Sequence, residues 1–112
     1  MDEIDASAQE ARAVNTVVAT EGCFKGHNTD GIGLLRDLCR NLGVALEEKR
    51  VLVLGAGGAV RGVLGPLTRA RPESLIIANR TIDKAKTVSS EFYGVDHIPL
   101  GALGVDYDVV IN

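Results

Sequence analysis

Apolar positions change their spacing several times along this chain, and each change marks an element. Residues 6–13 are good helix formers, led by alanine, and predict a short helix. Residues 14–19 are rich in β-branched side chains and predict a strand. Gly22 and Gly26 then punctuate a hairpin-like return toward His27. From Ile32 the spacing lengthens to three and four residues. Ile32, Leu35, Leu38, Cys39 and Leu42 predict an amphipathic helix, with Asp30 placed to cap its start and Gly43 to end it.

The second half alternates more regularly. Residues 50–54 are a short apolar run, followed by glycines and a helical pattern over about 57–70 that presents Val60, Val63, Leu64 and Leu67 on one face. Pro66 lies inside that pattern and is expected to kink it, because its nitrogen cannot donate to the carbonyl of Gly62. Residues 75–78 predict a second buried strand after the turn Pro72-Glu73-Ser74. Ile82, Ala85, Val88 and Phe92 mark a helix over about 82–93, capped by Thr81 and ending near Gly94. A short extended piece at 96–98 and a last strand at 108–111 complete the pattern. Alternation of this kind predicts an α/β fold: a parallel sheet with right-handed crossovers and helices on both faces. A doubly wound sheet normally continues past its fourth strand. The pattern stops at Asn112, so the expectation is an incomplete Rossmann-type sheet.

The run Gly55-Ala56-Gly57-Gly58-Ala59 stands where the first strand passes into its helix. Strand, glycine turn and helix in that order suit a dinucleotide diphosphate. Gly55 allows the sharp turn, and Gly57 allows close approach of the backbone. The helix start then offers unpaired N–H groups and the positive end of its dipole. The third small position of such a motif is Val60 here, so the glycines alone are equally compatible with a tight βα turn.

The end of the second strand separates the two dinucleotides. An NAD site carries an acid there for the ribose hydroxyls. This chain has Asn79-Arg80-Thr81 and then Lys84, with no acid at the strand end. Arg80 and Lys84 stand where a 2′-phosphate would sit, and arginine can fork onto phosphate oxygens or stack on adenine. Taken alone they also read as solvated surface charges; together with the glycine turn they favour NADP. Thr81 serves as helix cap and phosphate donor at once.

A second polar group precedes this unit: Asn15-Thr16 and Asn28-Thr29-Asp30-Gly31. Asp30 is a candidate for orienting a substrate hydroxyl or exchanging a proton with it. The plainer alternatives are an N-cap for Asp30, a turn residue for Asn28 and a strand-edge amide for Asn15. His27 reads as a turn residue.

Composition narrows the field. The 112 residues are 46% hydrophobic, enough for a core, and the net charge of −3 leaves no electrostatic footprint for nucleic acid. No apolar run approaches the roughly 18 residues of a membrane span. The acidic start resembles neither a secretory signal nor a transit peptide. Cys23 and Cys39 lack metal-ligand spacing and read as reduced thiols, Cys39 on the apolar side of its helix; the expected setting is cytoplasmic, with no metal.

Val14-Asn15-Thr16, Gly26-His27-Asn28-Thr29-Asp30-Gly31, Gly55-Ala56-Gly57-Gly58-Ala59 with Arg61 and Gly62, and Asn79-Arg80-Thr81, in this order and spacing, resemble the shikimate dehydrogenase family over nearly the whole chain. The resemblance implies reduction of 3-dehydroshikimate to shikimate with NADPH. It makes Asn15 a substrate-binding amide. Asp30 becomes the carboxylate that binds substrate hydroxyls and partners a catalytic lysine. Residues 55–59 match the phosphate turn, Asn79, Arg80 and Thr81 the NADP-selective segment, and Lys84 stands where many members have arginine. The family's lysine lies upstream of the Asn15 motif, so Lys25 does not match it. The implied division is 1–29 as a strip of the substrate-binding domain with its linker and 30–112 as the NADP-binding domain. The chain alone is then expected to be silent, with small molecules as partners and with self-association through surface left open. Rival readings are a quinate/shikimate dehydrogenase using NAD, a non-catalytic nucleotide-binding module, or a fragment that binds nothing.

Overall fold

In a computed structural model that describes residues 2–104 and 106–112, the apolar runs after residue 50 lie side by side. Strands β4 (Arg50–Leu54), β5 (Ser74–Asn79), β6 (Asp96–Pro99) and β7 (Val109–Ile111) form one parallel sheet in the order β6-β5-β4-β7. Val51 pairs with Leu75 on one side and Val109 on the other. β4 and β5 are near-continuous apolar runs, as in a parallel sheet. The crossovers from β4 to β5 and from β5 to β6 run in the same direction, so they place their helices on one face, where the alternation predicts helices on both. Val51, Val53, Leu75 and Ile77 are buried together with Leu64, Leu67, Ala85 and Val88. Counted from β4, the strand order is third, second, first, fourth. The order reverses beside β4, which is where an open α/β sheet leaves a crevice at its carboxyl ends.

Helix α3 (Gly58–Arg69) follows β4, and α4 (Ile82–Ser90) follows β5. Leu64 and Leu67 of α3 are buried, and Val60 and Val63 pack against the same core, as their spacing predicts. α3 runs through Pro66 as one element. Two other helices cross it at glycine contacts. Helix α2 (Asp30–Arg36) crosses at Gly31, where an added Cβ would overlap the Pro66 ring and lie 2.7 Å from the Gly62 carbonyl oxygen. Helix α1 (Ala6–Ala11) crosses at Gly65, whose Cα faces the Glu10 carboxylate.

The predicted stripe on α2 is rotated. Gly31, Leu34, Leu35 and Leu38 form its inner side, while Ile32, Cys39 and Leu42 are exposed. The groove of α3 accepts Gly31 and thereby sets the rotation. The π-helical turn Asp37–Asn41 also adds a residue to the turn, which rotates later positions by about 100°. Gly43, at φ +67°, ends the helical stretch, as expected. Thr29, not Asp30, holds the N-cap position.

The preceding residues build a small sheet of their own. β2 (Thr16–Thr20) and β3 (Cys23–His27) form an antiparallel hairpin, and β1 (Glu3–Ile4) lies parallel to β3. Gly22, at φ +80°, makes the turn. Gly26 does not punctuate; it pairs with Val17 inside β3 and is buried.

Arg50 and Asp108 clamp β4 to β7. The Asp108 carboxylate accepts the Arg50 backbone N–H at 2.8 Å and its guanidinium at 3.1 and 3.2 Å. Those bonds lower its pKa from 3.8 to about 2. A carboxylate with a depressed folded-state pKa stabilises the fold above its unfolded value and loses that contribution as pH falls through the folded one. Asp108→Asn is therefore expected to lower the melting temperature at neutral pH. It should also flatten the acid limb of stability between roughly pH 4 and pH 2, measured by thermal melts across pH.

Candidate functional site

All four parallel strands end at one cleft. Its volume is about 850 Å³, within the range of small-molecule sites. β4 contributes Leu54 through Gly58, β5 contributes Ala78 through Thr81, Leu100 follows β6, and Asn112 follows β7. Gly55 leaves β4 at φ +112°, a conformation open to glycine, and its N–H bonds the Ala78 carbonyl at 2.7 Å. Gly57 and Gly58 are different. Neither has positive φ, and an added Cβ at either would meet no protein atom within 4 Å. Neither backbone strain nor packing asks for glycine there, and both residues line the cleft. They open a helix of 12 residues, whose first N–H groups lack intrahelical partners.

Arg80 and Lys84 are exposed and line the same cleft. Neither has an ion-pair partner among the described residues. Thr81 holds the N-cap position of α4, and its side chain makes no capping bond, which leaves the hydroxyl available. The Asn79 amide donates to the Thr81 carbonyl at 3.0 Å, fixing the bend between β5 and α4. Bare amides and unpaired cations in one cleft suit a ligand with a diphosphate and a further phosphate.

Arg61, in the first turn of α3, also lines this cleft. Its guanidinium forks onto Glu91 at 2.8 and 3.1 Å. That contact holds the Glu91 carboxyl below its usual pKa and the Arg61 guanidinium above its own.

The second polar group gathers beside the same helix. Asn15 donates to the Asp30 carboxylate at 2.6 Å, and its carbonyl accepts from the Thr29 backbone and the Thr16 hydroxyl, each at 3.0 Å. Asn28 is buried; its carbonyl accepts the Asp30 N–H and its amide donates to the Ala13 carbonyl. An added Cβ on Gly62 would lie 3.3 Å from the second Asp30 carboxylate oxygen. Gly62 stands four residues past Gly58, about 6 Å along the helix axis. α3 thus carries the glycine turn at its tip and Asp30 against its side. Asp30 is exposed and has an oxygen free of Asn15, so it can accept from a ligand hydroxyl.

The sequence-predicted residues divide cleanly. Gly55, Ala56, Gly57, Gly58, Asn79, Arg80, Thr81 and Lys84 line one cleft; Ala59 is exposed on the first turn and does not line it. Asn15 and Asp30 are hydrogen-bonded to each other and do not line that cleft. Lys25 and His27 face the acids Glu3 and Asp5 at 3.5 to 4.0 Å. Sequence reasoning left out Leu54, Arg61, Ala78, Asp83, Thr87, Val88, Leu100 and Asn112 as lining residues. Thr87 lies three residues beyond Lys84, so helical spacing could have found it. Leu100 and Asn112 needed the strand order.

The chain matches the family model described as Shikimate / quinate 5-dehydrogenase over residues 37–112. It is 49% identical to the shikimate dehydrogenase (NADP(+)) of Methylobacillus flagellatus, across 98% of this chain and 43% of that protein. Its fold is similar to an Ael1 enzyme from Pseudomonas putida, with a TM-score of 0.90 at 45% identity over 97% of this chain and 41% of that one. It is similar also to a shikimate dehydrogenase crystallised with NADP+, with a TM-score of 0.87 at 37% identity over 99% of this chain and 41% of the other. The chain spans under half the length of these relatives.

Proposed function

Since the chain belongs to the shikimate / quinate 5-dehydrogenase family, we propose that it forms the NADP-binding part, and a strip of the substrate-binding part, of an enzyme that reduces 3-dehydroshikimate to shikimate. The division falls at the start of α2: residues 1–29 belong to the substrate-binding part and residues 30–112 to the cofactor-binding part, with Asp30 at the join contacting substrate. The observation that carries this reading is the single cleft lined by the Gly55–Gly58 turn together with Arg80 and Lys84.

Bound NADPH supplies the hydride. The chain's own residues hold and orient. The N–H groups at Gly57 and Gly58 grip the diphosphate, and Gly55 turns the chain so that they point into the cleft. Arg80 and Lys84 pair with the adenosine 2′-phosphate, with the Thr81 hydroxyl as a further donor. Asp30, fixed by Asn15, accepts from a substrate hydroxyl and partners a lysine outside these 112 residues. The chain alone is accordingly expected to bind NADP but to give no measurable shikimate-dependent NADP reduction. Robust turnover would refute that division of labour.

The direct test is the ratio of NADP to NAD affinity before and after Arg80→Ala. A charge-assisted bond to phosphate contributes about 1.5–3 kcal/mol, so NADP should weaken by about 10- to 100-fold. NAD, which has no 2′-phosphate, should change little. An unchanged ratio by titration calorimetry would dismiss the phosphate clamp and favour an NAD-using enzyme.

A further inference from the structure

Arg61 sits in the first turn of α3, where a cation opposes the positive end of the helix dipole. Glu91 offsets part of that cost, taking Arg61 Nε at 2.8 Å and Nη2 at 3.1 Å. This uses two of the guanidinium's five N–H donors. The same carboxylate receives Arg12 at 3.2 Å. Two cations on one acid leave the cluster at +1, from charges of +2 and −1. The Arg61 side chain is only 25% exposed, so the guanidinium is held in place, whereas Arg80 and Lys84 are exposed. It lines the same cleft as Gly57, Gly58 and Arg80.

Resting on the dinucleotide reading of the cleft, we propose that Arg61, oriented by Glu91, reads the diphosphate, while Arg80 and Lys84 read the 2′-phosphate. Diphosphate is common to NADP and NAD; the 2′-phosphate is not. The two cation groups therefore leave different signatures. Glu91 is a positioning residue: it does not line the cleft, and it acts by fixing two of the guanidinium's five donors, so that three remain for a ligand.

The test measures binding of NADP+ and of NAD+ to the chain by titration calorimetry, with a thermal melt of each variant to establish folding. Arg61→Gln is expected to weaken both dinucleotides by the same factor, about 10-fold, leaving their ratio as in the parent. Glu91→Gln keeps the guanidinium but loosens it, and should weaken both by a smaller shared factor, about 3-fold. A folded Arg61→Gln chain that binds both as tightly as the parent would reduce Arg61 to a tie between α3 and α4 and overturn the proposal. Loss of NADP affinity alone would overturn it too, by moving Arg61 to the 2′-phosphate. Should Arg61→Gln not fold, Arg61→Lys keeps the charge without the fork. It should show an equal, partial loss for both dinucleotides, and unchanged binding would again be fatal. A parent chain that binds neither dinucleotide would instead refute the reading of the cleft itself.

Discussion

Gly57→Val is expected to weaken both NADP and NAD by about 100-fold or more while the fold survives. The reason lies in what surrounds the residue. Its φ of −81° is open to any amino acid, and an added Cβ would meet no protein atom within 4 Å. A branched side chain therefore enters the cleft and not the core. There it stands over the N–H groups at the start of α3 and keeps a phosphate from reaching them. Loss of two charge-assisted bonds at about 1.5–3 kcal/mol each corresponds to about 100-fold or more. Valine is also a poorer N-cap than glycine, which costs about 1 kcal/mol of stability. The separation of the two effects is the point: titration calorimetry should record the loss while the melting temperature moves by only a few degrees. A variant that melts normally and binds normally would place the diphosphate elsewhere.

The largest stability effect is expected at Leu64. Leu64 is fully buried under the parallel sheet, so truncation to alanine leaves a cavity, and such changes cost about 2–5 kcal/mol. Against a total of about 5–15 kcal/mol for a domain, that is a large fraction. The melting temperature should fall by about 10–20 °C. Ile32→Ala is the control. Ile32 is as apolar as Leu64 and also helical, but it is 48% exposed, so its loss should cost well under half as much. Equal losses at the two positions in chemical denaturation would show that α2 is packed the other way round.

Those two residues also show where reading the sequence runs out. Helical spacing marks Val60, Val63, Leu64 and Leu67 as one face, and the structure buries that face, because a 12-residue helix beside a parallel sheet has one apolar side to hide. Spacing equally marks Ile32, Cys39 and Leu42, and all three are exposed. Periodicity gives a phase but not a partner. The partner of α2 is α3, and it accepts Gly31, which carries no hydrophobic signal at all. Asp30 followed from the same gap: its position favoured a cap, but the hydrogen bond to Asn15, fifteen residues away, directs its side chain elsewhere.

The sequence by itself determined the parallel α/β plan, the bounds of β4 and the order of its glycines. It also determined that the end of β5 carries no acid, and the candidate residues at each turn. These are local features, fixed by backbone freedom, side-chain volume and spacing along a few residues. Only the tertiary structure decided that β7 lies beside β4, and so brings the ends of β4, β5, β6 and β7 to one cleft. It alone set Asp30 against Gly62 and joined Arg61 to Glu91 across thirty residues. Such contacts depend on which helix faces which, and that is chosen by close packing of distant segments, for which no short stretch of chain carries the information.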